Sequence, residues 1–212
     1  LRGRLLLRDI RSDTSYASVL TSKSNALFSS ILCKGKTVCP RASLDEDRLP
    51  KILRKKSLQR HVRKLEKMGE VEVVHYFKAD DILPKLDGFF QQHIRRWAVT
   101  KYPSLFMNTK NCDFYKTLVA NFTDTGLLIY TEVLLDKVPV ASHFGFVSEN
   151  NFIWYKPSFA IDMAKYSPGE VLLYQLFRLS GELNLQGFDF TRGNESFKWR
   201  FADHNRYAIS FM

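Results

Sequence analysis

Two stretches of the chain carry residue types whose spacing could do chemistry. The first is Ser167-Pro168-Gly169-Glu170. Serine before proline, with glutamate three places on, predicts a helix start with a capping box and proline at the first helical position. Gly169 leaves that first turn bare, so a ligand could approach its N–H groups. Unpaired donors together with the helix dipole make such a terminus a phosphate site. The same residues also serve as a simple well-capped helix, and Glu170 competes with an anion for the positive end.

The second stretch is a set of proton-handling side chains. Group transfer to a nucleophile needs a base for the acceptor's proton, donors for developing negative charge and an acid for the leaving group. His143 lies on an expected strand, Val138 to Val147, whose alternation puts Ala141, His143 and Gly145 on one face. Histidine titrates near neutrality, so it reads either as a catalytic base or as a hydrogen-bonded core residue. Asp189, between Phe188 and Phe190, must be paired if buried, with Arg192 or Lys198 as expected partners, and reads either as a structural ion pair or as a catalytic base with a shifted pKa. Lys198 could contact a phosphate or the acceptor, and Tyr155 could serve as the general acid. Trp97 and Phe106 are expected to line the core or an acceptor pocket.

The elements that must position these residues follow from periodicity. Residues 70–77 read as a strand, and Ile82, Leu86, Phe89, Phe90, Ile94 and Trp97 keep a helical period after an Asp80 or Asp81 cap. A second helix, 113–122, is expected to turn Phe114, Leu118, Val119 and Phe122 inward. Three strands follow, 126–134, 138–147 and 152–156, joined by Asp136-Lys137 and by Ser148 to Asn151. A long helix from Pro168 to about Asn184, a strand 188–191, a short helix 195–202 and a strand 206–211 complete the order. This is an α/β architecture with a mixed, mainly antiparallel sheet.

Upstream, a strand 5–8, a helix 16–27 and a strand 37–44 are too few to close a core alone. One amphipathic helix, about 47–68, is expected to connect them to the rest, ending at Gly69. Its apolar stripe is Leu58, Val62, Leu65 and Met68. Between Lys51 and Lys67 eight cations face Glu66 alone, which supplies most of the formal charge of +10. Such a field attracts phosphates, whether of a nucleotide or a nucleic acid, and equally describes a solvated helix face.

The chain has 212 residues, 45% hydrophobic and 25% charged, as expected of a soluble globular protein. No stretch reaches the roughly 20 apolar residues of a membrane span. No secretory pattern opens the sequence, and the odd set Cys33, Cys39 and Cys112 fits free thiols in a reducing cytoplasm. The five histidines form no metal-ligand pair, so no metal is expected. The chain opens on Leu1, which fits a fragment.

The run Tyr166-Ser167-Pro168-Gly169, then Leu172, then Gly187-Phe188-Asp189-Phe190-Thr191-Arg192-Gly193-Asn194-Glu195, then Phe197-Lys198-Trp199 and Phe201, resembles the C-terminal half of the GNAT domain in BioF2-like or CelD-type acetyltransferases. Val140 to Gly145, Arg95-Arg96-Trp97 and Trp154-Tyr155 fall where that family has similar segments. The resemblance spans about Cys39 to Asp203 and implies the GNAT fold. It also implies an acyl-CoA co-substrate, acetyl-CoA or a relative, with its pyrophosphate at Tyr166, Ser167, Pro168, Gly169, Glu170 and Val171, and Arg192 nearby. Family members often carry two GNAT-like halves. The implied division is therefore 1–46 as the remnant of a first half, 47–69 as a basic connector helix and 70–212 as the acyltransferase domain. The implied acceptor is an amine or hydroxyl, of a sugar or cell-envelope precursor. Relatives include Fem-type enzymes that transfer amino acids from aminoacyl-tRNA, which makes tRNA an alternative partner. The Gln/Arg-x-x-Gly-x-Gly/Ala loop of typical GNAT enzymes is absent, which suits a third reading, a GNAT-fold module that binds without catalysis.

Overall fold

Short two-residue turns shape the middle of the chain. Asp136-Lys137 and Glu149-Asn150 all have positive φ, between 50° and 68°. That is the pairing which lets a right-twisted hairpin close on two residues. The computed structural model describes residues 5–24 and 31–212. Its first elements are β1 (Leu7–Arg11), α1 (Ser15–Ser24), β2 (Cys33–Ser43), α2 (Arg48–Leu53), α3 (Lys56–Glu66), β3 (Val71–Tyr76), α4 (Ala79–Ile82) and α5 (Leu86–Ala98). There follow α6 (Thr109–Phe122), β4 (Leu128–Leu135), β5 (Val138–Ser148), β6 (Asn151–Phe159), α7 (Pro168–Glu182), β7 (Gly187–Asp189) and β8 (His204–Phe211). The α/β class expected from the element order is the one observed. The last three residues of the expected 16–27 helix lie outside the described residues.

The chain forms two compact units, one from residues up to Ser43 with Asp189–Met212, the other from Leu44–Phe188. In the first, β8 lies between β1 and β2 and pairs antiparallel with both. In the second, β3, β4, β5 and β6 form an antiparallel meander. The chain then passes through α7 into β7, which neighbours β6 in the strand order.

One face of the meander is covered by α4, α5 and α6. Ile82, Leu86, Phe89, Phe90, Phe106, Tyr115 and Val119 pack there on Tyr130 and Phe144. The opposite face receives α7, whose Phe177 meets Phe188, itself stacked on Phe152. The helix α3 buries Leu58 and Leu65 and packs on α7.

Local expectations changed in four places. The 47–68 helix is two helices, because Lys55 takes an extended conformation (ψ 115°). Ile52 and Leu58, six residues apart, cannot share one helical face, and the break lets both go inward. Met68 lies beyond the helix end and is exposed. On α6 Val119 is buried and Leu118 packs on the core as expected, but the third inward side chain is Tyr115, while Phe114 and Phe122 are exposed. The expected 195–202 helix shrinks to one 3-10 turn, Lys198–Arg200.

Candidate functional site

In the second unit, β6 carries one residue more than β5 opposite Gly145. Phe144 pairs with Lys156 and Phe146 with Ile153, so Trp154 and Tyr155 share a single partner position. A bulge of this kind turns one N–H out of the ladder. Here the Tyr155 N–H donates to Nε2 of His143 at 3.1 Å. The neutral ring then carries its proton on Nδ1, which is buried and has no hydrogen-bond partner among the described residues. His143 is fully buried and stacks on Phe152 and Trp154. Burial pulls its pKa down to about 3. A side chain at Gly145 would run into the His143 ring and the Ile153 carbonyl, so the imidazole needs that glycine.

Tyr155 itself packs beside Tyr115, with ring centroids 6.2 Å apart, and the two hydroxyls hydrogen-bond. Burial, then that bond, pushes the Tyr115 phenol well above its ordinary value. Beyond Tyr155, β6 ends at Phe159, and the chain winds through a 3-10 turn, Ile161–Tyr166, into α7.

The start of α7 differs from the expected capping box. Ser167 sits in the left-handed region (φ 59°, ψ 47°), and its side chain makes no cap bond. The residue before a proline is disfavoured in the right-handed helical region, which moves Ser167 out of it. Around this uncapped turn stand cations. Lys64 and Lys165 lie over the Tyr166 ring at 5.3 and 5.0 Å, and Lys64 donates to the Lys165 carbonyl. Gly169 lies against Phe159, where an added Cβ would come within 3.3 Å. Arg96, from α5, covers the other contact of that ring at 4.6 Å. The Arg96 Nε and the Trp97 indole N–H are buried without hydrogen-bond partners among the described residues. His93 bonds Ser104 at 2.8 Å, and burial with the Lys156 and Arg96 charges lowers its pKa to about 4. Phe106 is core, T-shaped against His93, Phe89 and Tyr115. The Glu170 and Val171 N–H groups donate to the Ser167 carbonyl, so what suits an anionic, extended ligand here is the Gly169 N–H with Lys64 and Lys165 at the helix start, Arg96 over Phe159, and a ring-lined approach along β6.

The remaining predicted residues lie in the first unit. Asp189 is buried and pairs with Arg206 at 2.6 Å and Arg41 at 3.7 Å, while accepting from the Thr191 N–H. The expected partners Arg192 and Lys198 have other contacts. Arg192 is exposed and grips Asp9 at 2.8 Å; Lys198 is buried and holds Glu195 and the Arg192 carbonyl, each at 2.8 Å. The sequence reading thus places Asp189 correctly in a charged pair but with the wrong partners. Cross-strand neighbours, from β2 and β8, are closer than residues nearby in sequence.

A cluster in the second unit was passed over. Glu132, on β4, is buried and accepts from Tyr130 at 3.2 Å and Tyr76 at 3.3 Å, with Lys85 at 3.5 Å. A glutamate inside the run Leu128 to Leu135 was the available signal. Among the described residues no group of three or more His, Cys, Asp or Glu could hold a metal ion, and no helix is long and apolar enough to cross a membrane.

Residues 53–199 match the family model described as acetyltransferase (GNAT) domain. The chain belongs to the GNAT family. No curated protein sequence matches it. Among solved structures, this GNAT chain is similar to the C-terminal domain of an Agrobacterium fabrum protein described as a lysylphosphatidylglycerol synthetase, at TM-score 0.65 and 13% identity, over 99% of this chain and 67% of that one. It is similar to FemX at TM-score 0.63 and 10% identity, over 98% and 71%. A fungal GCN5-related glucosamine N-acetyltransferase region, within a multi-domain GH3 β-N-acetylglucosaminidase, gives 0.54 and 11%, over 96% of this GNAT chain and 24% of that one. At these identities the likeness is one of fold.

Proposed function

We propose that this GNAT domain transfers an acyl group from coenzyme A to an amine or hydroxyl acceptor, in the manner of the BioF2-like or CelD-type enzymes that its motifs resemble. Membership of the GNAT family supports acyl transfer in general. The observation that carries the donor assignment is the start of α7. Its first turn lacks a side-chain cap, and Lys64 and Lys165 stand beside it with Gly169 closed on Phe159. The pyrophosphate would lie on that turn, among Tyr166 to Val171, and the thioester arm would run back along β6. In this reading His143 anchors the bulge, Tyr155 protonates the departing thiolate, and Asp189 and Lys198 hold the first unit together. The acceptor class, a sugar or envelope precursor, and a cytoplasmic setting rest on the resemblance.

Calorimetric titration with acetyl-CoA and free CoA tests the donor site. Micromolar binding, lost in Gly169→Glu, is expected; no binding to either ligand overturns the reading.

A Fem-like, aminoacyl-tRNA-dependent transfer is supported by a separate feature. Arg54, Lys56, Arg60, Arg63 and Lys67 are exposed and form no ion pair among the described residues. Binding of tRNA through that surface should fall steeply with salt, and a Lys56, Arg60, Arg63 triple alanine variant should abolish it while CoA binding persists.

A further inference from the structure

The last turn of α5 carries two polar side chains that the donor assignment leaves unused. Arg96 and Trp97 are both half-buried, and the Arg96 Nε and the Trp97 indole N–H are buried without hydrogen-bond partners among the described residues. An orphaned buried donor calls for an explanation, and two on adjacent residues call for a common one. The guanidinium lies 4.6 Å over the Phe159 ring and 5.5 Å from that of Trp97, contacts that hold the group without satisfying its N–H donors. Burial pulls its pKa below the ordinary arginine value, as befits a cation stripped of part of its water. Arg96 forms no ion pair among the described residues. Its neighbouring strand β6 contains no Asp or Glu, and the one carboxylate of α5, Asp87, pairs with Lys116 at 2.9 Å.

A second cation comes from β6, on which α5 packs. The Lys156 ammonium lies 4.7 Å over the ring of Tyr155, the side chain assigned above as the acid. The charges of Lys156 and Arg96 both act on His93, which burial first and then these two charges hold neutral, at a pKa of about 4. Lys156 and Arg96 thus share one neighbourhood, reaching from Tyr155 to Phe159, with an excess of positive charge. In the acyl-CoA reading the diphosphate is served by Gly169, Lys64 and Lys165, and the pantetheine arm along β6 is uncharged. The donor therefore brings no anion to the side chains beside Tyr155 and His93. The acceptor is the remaining source of one.

We propose that Arg96, the Trp97 indole N–H and Lys156 hold a carboxylate of the acceptor, so that the substrate class is a carboxylic acid that also bears an amine or hydroxyl. This rests on the acyl-CoA reading above. The planar guanidinium presents paired N–H groups that match the two oxygens of a carboxylate, and the indole adds a neutral donor beside them. Lys156 adds charge on the Tyr155 side. With its carboxylate against α5, the acceptor leaves its amine or hydroxyl toward Tyr155, where the thioester would lie. An acceptor without the acid leaves the half-dehydrated guanidinium unpaired, which is how a site built around polar groups rejects an analogue that lacks their partner.

The test follows the indole N–H signals of the three tryptophans by proton–nitrogen correlation NMR, with sodium acetate as the probe at constant ionic strength. Trp97→Phe assigns the Trp97 signal. That signal is expected to shift saturably with acetate, and to do so equally with CoA present at saturation. Arg96→Gln should abolish the shift. Arg96→Lys, which keeps the charge and loses the fork, should weaken acetate binding about tenfold. Dispersed spectra show that each variant is folded. No shift with acetate overturns the proposal, and so does a shift that survives in Arg96→Gln. A shift that CoA suppresses also overturns it, because the anion site then belongs to the donor, and the acyl-CoA reading stands. Acetate binding at Trp97 in a protein that calorimetry shows not to bind CoA overturns the acyl-CoA reading, and the acceptor assignment with it.

Discussion

Tyr155 donates its backbone N–H to the imidazole of His143 at 3.1 Å, where β6 bulges past Gly145. A backbone donor that leaves a sheet ladder must find another acceptor or lose about 1–3 kcal/mol. The histidine supplies that acceptor from inside the core and so fixes the shape of the strand that leads to α7.

That arrangement makes stability depend on pH with a definite sign. The folded protein keeps His143 neutral down to about pH 3, whereas the unfolded ring takes a proton below its ordinary value of 6.5. Stability is therefore complete above pH 6.5 and falls as pH drops towards 3. Between pH 7 and 5 the loss from this residue should be about 2 kcal/mol. Urea midpoints at the two pH values should show a smaller difference in His143→Gln, by about that amount, with the His93 contribution common to both proteins.

Gly145→Ala should be strongly destabilising, since the new methyl meets the His143 ring and lies 2.9 Å from the Ile153 carbonyl. A loss of about 3 kcal/mol is expected, in the range for overpacked cores. Adding His143→Ala to that variant should recover part of it in thermal melts, because the ring is the larger of the two obstacles.

In the first unit, Asp189→Asn leaves Arg206 and Arg41 facing a neutral amide. Removing one member of a buried pair costs about 3–5 kcal/mol. Chemical denaturation should show a drop of that order. An Asp189→Asn, Arg206→Met double variant should lie closer to the wild type than the sum of its parts.

Ser167 is a non-glycine residue held in the left-handed region, at a cost of about 1 kcal/mol. Ser167→Gly should raise stability by a similar amount. Thermal melts of the two proteins should show the gain, since the serine side chain makes no cap bond that glycine would lose.

Much of this was readable from residue order, and the exceptions share a cause. Asp136-Lys137, the alternation of β5 and Pro168 at a helix start are local signals, and each marks the element expected. On α6 Leu118 and Val119 turn inward as expected, but Phe114 and Phe122, which outrank Tyr115 in hydrophobicity, are exposed while Tyr115 is buried. Tyr115 lies between Phe90, Phe106 and Phe144 and keeps its hydroxyl on Tyr155. Asp189 signalled a buried pair, yet Arg41 and Arg206 become its partners only through strand register. Glu132 stood in plain view within an apolar run, but its meaning depends on Tyr76 from the neighbouring strand and on Lys85. Residue order reveals elements well; pairings that cross strands emerge only once the sheet is assembled.

The placement of β8 between β1 and β2 has a consequence for biosynthesis. While the chain emerges from the ribosome, β1 and β2 lack the strand that separates them in the finished sheet until residues 204–211 have been made. Throughout that interval they present bare edges, the kind of surface that recruits chaperones or a neighbouring nascent chain. The second unit, contiguous from Leu44 to Phe188, is free to fold well before the first unit can close.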